Sequence, residues 1–264
     1  MPWALITGVS GGMGTAAAKR LLSEGWGVFG LDRQAPESVP GLVFLEADLT
    51  DEADVAACFD RIRVQTDRLD AIVHMAGIYD LDSLVEMEQP ALERIFAVNF
   101  FAPCRVNRIF LPLLGQGSRI VITSSELAPL DPLPFTGIYA VSKAALDKYA
   151  ASLRMELQLL GVDVTVLRPG AVQTGMLDVS TARLDAFCEK TTHYRVNAGR
   201  FRRIVAGVET RKVRPERIAA LVSRALSAKR PRYVYTCNRN PLLLLLNALP
   251  DRWQAAILRR ILRP

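Results

Sequence analysis

A tyrosine and a lysine lie four residues apart at Tyr139 and Lys143. On a helix, this spacing places the two side chains on one face, about one turn apart. A nearby ammonium favours the phenolate, so Lys143 is expected to lower the pKa of Tyr139 below the ordinary tyrosine value of about 10. The pair is therefore predicted to act as a general acid and base that moves a proton near neutral pH.

Further polar residues extend this site. Ser124 and Ser125 end an apolar run that has the pattern of a strand, and a hydroxyl at the carboxyl end of a parallel strand faces the crevice where such sheets bind ligands. A hydroxyl there could hold a substrate oxygen beside Tyr139. Asn99 falls in the middle of a helical pattern, where asparagine is unfavourable. A side chain or a water in that helix could link Asn99 to Lys143 as a proton relay.

A glycine-rich segment at residues 7–14, Thr-Gly-Val-Ser-Gly-Gly-Met-Gly, joins the first predicted strand to the first predicted helix. Gly8 permits a tight turn, Gly12 lets the backbone approach a pyrophosphate, and Gly14 lets the helix pack close to the sheet. The amino terminus of the helix offers free N–H groups and the positive end of its dipole to the phosphates. This segment predicts a dinucleotide site.

Asp32 lies at the end of the second predicted strand, 18 residues after Gly14. A carboxylate there can accept hydrogen bonds from both hydroxyls of an adenosine ribose, and it repels a 2′-phosphate, which favours NAD over NADP. The next residue, Arg33, could instead serve a 2′-phosphate, so NADP stays open. In the structural alternative, Asp32 only caps a loop.

Short apolar runs alternate with longer helical patterns along the chain. This order predicts an α/β fold with a doubly wound, seven-stranded parallel sheet, Rossmann-like, and helices on both faces. The predicted strands are residues 2–7, 27–31, 42–46, 71–75, 119–123, 162–167 and 232–236. The predicted helices cover about residues 13–24, 54–64, 89–114, 139–160 and 215–228. A single domain is expected at residues 1–240, with an irregular lid at about 175–214 and a tail extension at 241–264.

In register, these motifs resemble the short-chain dehydrogenase/reductase family, in its single-domain branch of about 250 residues. The matching pieces follow the family's order from residue 1 to about 236. The resemblance implies that Tyr139 donates or accepts the proton and that Lys143 holds the nicotinamide ribose. It implies that Ser125 orients the substrate carbonyl and that Asn99 maintains a water relay.

The resemblance also implies a nicotinamide cofactor. Asp48 would meet the adenine, and residues 169–174 would meet the nicotinamide carboxamide. The implied cofactor-binding residues are Gly8, Ser10, Gly11, Gly12, Met13, Gly14, Asp32, Arg33, Asp48, Leu49, Ala76, Gly77, Asn99, Tyr139, Lys143, Pro169, Gly170, Val172 and Thr174. A narrower likeness to members acting on steroids, retinoids and lipid alcohols, with the apolar tail and the long lid, indicates an apolar secondary alcohol or ketone as the substrate.

The chain departs from the family pattern in two segments. Residues 74–77 read His-Met-Ala-Gly where the family has Asn-Asn-Ala-Gly, so a contact to the adenosine side is weakened or remade. The spacing from Ser125 to Tyr139 is 14, one residue longer than the family habit of about 13. Ser125 is favoured as the catalytic serine, with Ser124 as the alternative. The extra residue is assigned to the proline-rich loop 129–134, which is expected to shape the substrate pocket.

Two residues near these motifs have a structural and a functional interpretation. His74 lies in an apolar strand and is expected to be a packed, hydrogen-bonded residue rather than a ligand. Glu126 follows the favoured serine and either touches the substrate or is exposed to solvent.

The composition of the 264-residue chain is that of a globular protein, with 50% hydrophobic and 23% charged residues. These values exclude intrinsic disorder, collagen and a disulfide-stapled miniprotein. The four cysteines are far apart, without metal-ligand or redox spacing, so reduced thiols, a cytoplasmic location and no metal site are expected. The sequence starts without a basic leader, so export is not expected. The longest apolar run, residues 242–246, is far shorter than the ~20 residues of a spanning helix.

Charge is divided unevenly along the chain. Residues 1–194 carry 16 basic and 24 acidic groups, whereas residues 195–264 carry 17 basic and 3 acidic groups. This is not the pattern of a uniformly basic nucleic-acid-binding protein. The tail could cover the substrate entrance, join the interface of a homodimer or homotetramer, or lie on a membrane surface as a basic amphipathic helix.

Two other functions compete with an NAD(P)-dependent oxidoreductase. A catalytically retired member of the family would bind NAD(H) as a sensor or scaffold, but none of the serine, tyrosine, lysine and asparagine residues is missing. A sugar-nucleotide epimerase or dehydratase would resemble a longer chain with a differently spaced glycine turn. The sequence therefore favours an oxidoreductase.

Overall fold

The computed structural model describes residues 1–209 and 211–263, except for the side chains of residues 177, 178, 180, 208 and 209. The strands are β1 (Trp3–Thr7), β2 (Gly27–Asp32), β3 (Leu42–Glu46), β4 (Ala71–His74), β5 (Arg119–Thr123), β6 (Asp163–Pro169) and β7 (Val234–Cys237). They form a parallel sheet in the order β3-β2-β1-β4-β5-β6-β7. The predicted fold is confirmed. Because the strand order reverses between β1 and β4, a crevice opens there at the carboxyl edge of the sheet.

Ten α-helices lie in the described part of the chain. They are α1 (Gly12–Ser23), α2 (Glu52–Arg63), α3 (Gln89–Phe96), α4 (Ala102–Phe110), α5 (Gly137–Leu157), α6 (Gly175–Lys190), α7 (Arg195–Glu209), α8 (Pro215–Ser227), α9 (Pro241–Asn247) and α10 (Asp251–Leu262). No helix of the described residues is long and apolar enough to cross a bilayer.

The predicted long helix at 89–114 is interrupted. Between α3 and α4 the chain makes a π-helical turn at Ala97–Phe101, and a short 3-10 turn follows α4. Proline has no N–H, so Pro103 cannot bond the carbonyl of Asn99 four residues earlier. The wider turn accommodates this gap, and such turns are frequent at functional sites.

The strands are apolar throughout because helices cover both faces of the sheet. Alternate residues of one strand point to opposite faces, so Leu5 packs with α2, α4 and α5, while Ile6 packs with α1 and α8. Burial on both sides removes the polar alternation that an exposed face would require.

The segment expected to be an irregular lid, residues 175–214, contains the two helices α6 (Gly175–Lys190) and α7 (Arg195–Glu209). Residue 210 of that segment lies outside the described residues. The apolar residues Leu184, Phe187 and Phe201 of the two helices pack with Leu81 and Leu262. The partners come from distant segments, which explains why the local sequence shows only a weak helical pattern.

Three acidic residues in the loop after β4 hold this helical pair in place. Asp80 pairs with Arg183, and Asp82 accepts from Lys190 at 2.5 Å. Glu86 accepts hydrogen bonds from the backbone and hydroxyl groups of residues 191–193. The pair is thereby joined to the loop that follows β4.

The tail folds back onto the chain. The Gln254 amide donates to Asp131 at 3.0 Å, and the Asn197 amide donates to the carbonyl of Leu262 at 2.8 Å. The contacts place α9 and α10 against the loop 129–134 and against α7, at one side of the crevice.

Candidate active site

Helix α5 places Tyr139 and Lys143 together, as their spacing predicts. The Lys143 Nζ lies 5.9 Å from the centroid of the Tyr139 ring. It also donates to the carbonyl of Thr123 at 3.0 Å, which fixes the ammonium at the carboxyl end of β5. The lysine is buried and the tyrosine is half-buried in the crevice.

Of the two candidate serines, Ser125 is the one that meets Tyr139. Its hydroxyl hydrogen-bonds the phenol, whereas the Ser124 hydroxyl donates to the carbonyl of Lys143 at 3.4 Å. The geometry therefore selects Ser125 as the group placed beside the phenol.

The pKa of Tyr139 is raised to about 12, opposite to the direction expected from the spacing alone. Burial of the phenol is the largest cause, the hydrogen bond with Ser125 opposes it, and the charge of Glu126 adds to it. Burial likewise lowers the pKa of Lys143 to about 8, against the charge of Asp147. The expectation was wrong for this structure because burial of the phenol outweighs the hydrogen bond with Ser125, which is the contribution that lowers the pKa of Tyr139.

Asn99 lies in the π-helical turn, fully buried. Its Oδ1 accepts from the backbone N–H of Ile78 at 2.8 Å, and its Nδ2 donates to the Ile78 carbonyl at 2.9 Å and to the Ser142 hydroxyl at 3.1 Å. A Cβ on Gly77 would lie 3.3 Å from the Asn99 Oδ1 and 3.4 Å from the Lys143 Nζ. Both side chains therefore border Gly77.

The glycine turn packs tightly between β1 and β4. Gly8 has a φ of +70°, and a Cβ there would lie 2.5 Å from the backbone nitrogen of Ala76. A Cβ on Gly14 would lie 2.1 Å from the Gly8 carbonyl oxygen. Gly11 is the N-cap residue of α1, and no side-chain hydrogen bond caps the helix there. Glycines let the turn pack this closely against the backbone, and the amino terminus of α1 that follows it fits the pyrophosphate of a dinucleotide.

Asp32 joins β2 to the glycine turn. Its Oδ2 accepts from the Ser10 backbone N–H at 2.9 Å and from the Ser10 hydroxyl at 2.5 Å, and its Oδ1 accepts from the Arg33 N–H at 2.8 Å. The carboxylate thus braces the turn, and its position next to the turn is also the one expected for ribose recognition. Asp48, the other acidic residue among the predicted cofactor-binding residues, accepts two hydrogen bonds from Thr50, which lower the pKa of Asp48.

A cleft of about 1370 Å³, part of it open to solvent, joins these elements at the carboxyl edge of the sheet. Its lining includes these predicted site residues: Met13, Ala76, Gly77, Ser125, Tyr139, Lys143, Pro169, Gly170, Val172 and Thr174. The other predicted residues lie outside this lining: Gly8, Ser10, Gly11, Gly12, Gly14, Asp32, Arg33, Asp48, Leu49 and Asn99. Most of these belong to the turn and to the ends of β2 and β3, where the adenosine half of a dinucleotide is expected.

The structure adds residues that the sequence did not single out. The Tyr79 ring lies edge-on to the Tyr139 ring, with centroids 4.4 Å apart. Phe201 of α7 and Leu242 and Leu243 of the tail form part of the cleft wall. No local motif marks these side chains, since tertiary contacts alone bring them to the site.

His74 is a buried, hydrogen-bonded residue of β4, as expected. Its Nε2 shares a hydrogen bond of 2.8 Å with the Asn107 Oδ1. Burial lowers the pKa of His74 to about 4, the hydrogen bond to Asn107 opposes this shift, and the charge of Lys143 adds to it.

This pKa predicts sensitivity of the fold to acid. An unfolded histidine titrates near pH 6.5, whereas folded His74 becomes protonated only near pH 4. Between these two pH values the unfolded state therefore binds a proton that the folded state does not bind. The contribution to stability is complete above about pH 6.5 and is lost as the pH falls towards about 4, at about 1.4 kcal/mol per pH unit. Urea unfolding at several pH values should show a shallower loss for His74→Gln than for the natural protein. The control is His193→Gln, which replaces an exposed histidine. If stability fell with pH as steeply in His74→Gln as in the natural protein, the low pKa of His74 would be contradicted.

A parallel sheet whose carboxyl edge carries a glycine turn beside a cleft with a tyrosine and a lysine is the arrangement of an oxidoreductase with a dinucleotide cofactor. The chain belongs to the short-chain dehydrogenase family, whose family model, described as "short chain dehydrogenase", matches residues 2–185. It is accordingly an oxidoreductase of the alcohol dehydrogenase or carbonyl reductase kind that uses a nicotinamide cofactor.

Similar proteins cover nearly the whole chain. A probable short-chain type dehydrogenase/reductase, VdlC, of Helicobacter pylori is 28% identical over 98% of this chain and 97% of its own length. A 3-ketodihydrosphingosine reductase of Bacteroides thetaiotaomicron is 24% identical over 94% of this chain and 91% of its own length. A short chain dehydrogenase from Burkholderia cenocepacia, solved in complex with NADP, has a TM-score of 0.73 at 22% identity and covers 100% of this chain and 98% of its own.

Proposed function

We propose that this protein interconverts an apolar secondary alcohol and its ketone, with Tyr139 as the general acid and base. The observation that carries the proposal is the position of the Tyr139 phenol, hydrogen-bonded to Ser125 in a cleft with largely apolar walls. The nicotinamide cofactor, when bound, supplies or accepts the hydride at the carbinol carbon.

The residues of the chain account for proton transfer. Ser125 donates a hydrogen bond to the substrate oxygen and holds it beside the phenol. Tyr139, whose pKa is raised to about 12, is protonated at neutral pH and donates its proton to a carbonyl oxygen during reduction. During oxidation the Tyr139 hydroxyl first passes its own proton to solvent, and its phenolate oxygen then takes the proton of the alcohol. Lys143 and Asn99 would hold the nicotinamide ribose and the water relay, as the family resemblance implies.

The walls of the cleft support an apolar substrate. The side chains on the side opposite the glycine turn are aliphatic or aromatic and come from the loop after β5, from α7 and from α9: Leu127, Leu133, Phe201, Ile204, Val205, Leu242 and Leu243. Burying apolar substrate surface there contributes about 25 cal/mol per Å². One relative is named for the reduction of a long-chain sphingoid ketone, in agreement with such a pocket.

The test is a panel of alcohols and ketones assayed with NAD and with NADP through the absorbance of the reduced nicotinamide. Turnover is expected to be highest with sterol-like or long-chain secondary alcohols and ketones. Cofactor binding without turnover across the whole panel would contradict the proposal and favour a sensor or scaffold.

We also propose a preference for NAD, supported by Asp32 beside the glycine turn. Asp32→Asn keeps an acceptor for Ser10 and removes the negative charge that repels a 2′-phosphate. The ratio of kcat/KM with NAD to that with NADP is expected to fall by about tenfold or more, the size of one hydrogen bond to a charged group. Glu37→Gln, an exposed change in the same loop, is the control. A preference for NADP in the natural protein, or an unchanged ratio, would contradict this assignment.

We also propose that the tail makes a peripheral contact with anionic membranes. Leu242, Leu245 and Trp253 are 68%, 65% and 56% exposed, and several arginines surround them: Arg239, Arg252, Arg259, Arg260 and Arg263. Exposed apolar side chains among basic residues favour the surface of a negatively charged bilayer.

Co-sedimentation with vesicles checks this contact. The natural protein is expected to pellet with vesicles of phosphatidylcholine and phosphatidylglycerol, less so at high salt, and to show a blue shift of Trp253 fluorescence. Leu245→Glu should reduce pelleting, whereas Leu159→Glu, at an 83% exposed leucine outside the tail, should not. Equal pelleting of the two variants would exclude the tail as the contact.

The remaining proposals concern location and assembly. A cytoplasmic location is supported by free cysteines at all four positions. A homodimer or homotetramer is supported by family habit and by Phe101, Val141 and Met155, apolar residues exposed on or next to α4 and α5. Sedimentation of the natural protein tests the assembly.

A further inference from the structure

Glu126 is a carboxyl group in the largely apolar cleft. It directly follows Ser125, lines the cleft and is only 7% exposed. Its backbone N–H donates to the Pro169 carbonyl at 2.9 Å, which fixes the residue between β5 and β6. A carboxylate that loses its hydration in such a place is costly unless hydrogen-bond donors replace the lost water.

Only one of its two oxygens has such a donor. The Glu126 Oε2 accepts from the backbone N–H of Asn240 at 2.7 Å, at the start of α9. The Oε1 lies beside Gly170, where a Cβ would be 2.7 Å from it, and among the described residues it has no hydrogen-bond donor. One half of the carboxylate is therefore left with acceptor capacity that the chain does not use.

Glu126 lines the same cleft as Ser125 and Tyr139. Ser125, the preceding residue, hydrogen-bonds Tyr139, and the charge of Glu126 raises the pKa of that phenol, so the two groups interact electrostatically. Burial raises the pKa of Glu126, and the Asn240 N–H and the charge of Arg239, which is exposed just before the tail, oppose this shift. When Ser125 and Tyr139 hold the reacting oxygen of a substrate, the atoms next to the reacting carbon share the cleft with the Glu126 Oε1, an acceptor without a donor among the described residues.

We propose that Glu126 determines substrate specificity by accepting a hydrogen bond from a hydroxyl or ammonium group near the reacting carbon of the substrate. The inference rests on the proposed function and narrows its substrate class to apolar chains with such a donor beside the carbinol. A plain secondary alcohol leaves the Oε1 unsatisfied, whereas a vicinal diol or amino alcohol satisfies it. Leaving a buried acceptor without its partner costs more than the bond itself contributes.

The test compares three substrates of equal chain length: a long-chain secondary alcohol, the matching vicinal diol and the matching vicinal amino alcohol. The natural protein is expected to show a kcat/KM about 10- to 100-fold higher for a bifunctional substrate than for the plain alcohol, the range for a hydrogen bond to a charged group. A larger advantage for the amino alcohol assigns an ammonium, and a larger advantage for the diol assigns a hydroxyl. Equal kcat/KM values for all three would overturn the inference without needing a variant.

Glu126→Gln separates recognition from a structural role. Glutamine keeps a carbonyl oxygen for the Asn240 N–H but removes the charge. The ratio of kcat/KM for a bifunctional substrate to that for the plain alcohol should fall by about tenfold or more. An equal loss for all three substrates would show that Glu126 only anchors α9 and would overturn the inference.

A failure of the proposed function gives a different result. In that case the natural protein turns over none of the three substrates, or Tyr139→Phe keeps full turnover. Loss of turnover in Tyr139→Phe together with no substrate selectivity in the natural protein would contradict the role of Glu126 alone.

Discussion

Replacing Tyr139 by phenylalanine is expected to abolish turnover and to leave the fold intact. Phenylalanine keeps the ring that packs edge-on against Tyr79, so the change removes only the phenol oxygen and its hydrogen bond with Ser125. General acid–base catalysis contributes about 100- to 10,000-fold to enzymatic rates, and kcat should fall within that range. The absorbance of the reduced nicotinamide measures the loss.

Tyr149 supplies a matched control on the same helix. It is also a half-buried tyrosine, and its hydroxyl accepts from the Asn107 amide at 3.1 Å, but it does not belong to the cleft lining. Tyr149→Phe therefore removes a comparable hydroxyl and should keep most of the turnover. Full activity in Tyr139→Phe would contradict the mechanism.

A second large effect is expected from an alanine at Gly14. Its Cβ would lie 2.1 Å from the carbonyl oxygen of Gly8 and 2.8 Å from the Cα of Val9. Both are backbone atoms, so no side chain can move aside, and the glycine turn must shift relative to α1. Such overpacking costs about 1–3 kcal/mol or more. Denaturant unfolding should show this loss, and dinucleotide binding, followed by calorimetry, should fall below detection.

The control is an alanine at Gly11, three residues before Gly14. Its φ is −69°, and a Cβ there would meet only the Gly8 carbonyl oxygen at 3.4 Å. Gly11→Ala should therefore change the free energy of unfolding by no more than about 1 kcal/mol. If Gly14→Ala were as stable as Gly11→Ala, the close packing of the turn would not be what requires glycine.

The sequence was sufficient for the features that depend on spacing along one element. Seven apolar runs with intervening helical patterns predicted the parallel sheet, because strands buried on both faces lack polar alternation. The interval between Tyr139 and Lys143 predicted their proximity, because helix geometry is the same wherever a helix forms. The glycine turn was likewise recognisable, since a strand, a tight turn and a helix must follow one another locally.

Features that depend on distant segments needed the tertiary structure. Residues 175–190 and 195–209 are helical, and Leu81 and Leu262, which are distant in sequence, cover their apolar side chains. The long helix after residue 89 is divided at the π-helical turn Ala97–Phe101, where Asn99 turns its amide towards Ile78. The pattern showed an asparagine and a proline in a helix but not the π-helical turn that accommodates both.

The electrostatics of the site depended most strongly on the tertiary structure. From the sequence, an ammonium one turn from a phenol lowers its pKa, yet the fold raises the pKa of Tyr139 to about 12. Whether a charge is favoured depends on how much water the surrounding elements exclude, and this depends on contacts that no local motif encodes. Sequence spacing therefore determined which groups meet, whereas burial by the assembled sheet, helices and loops decided their protonation.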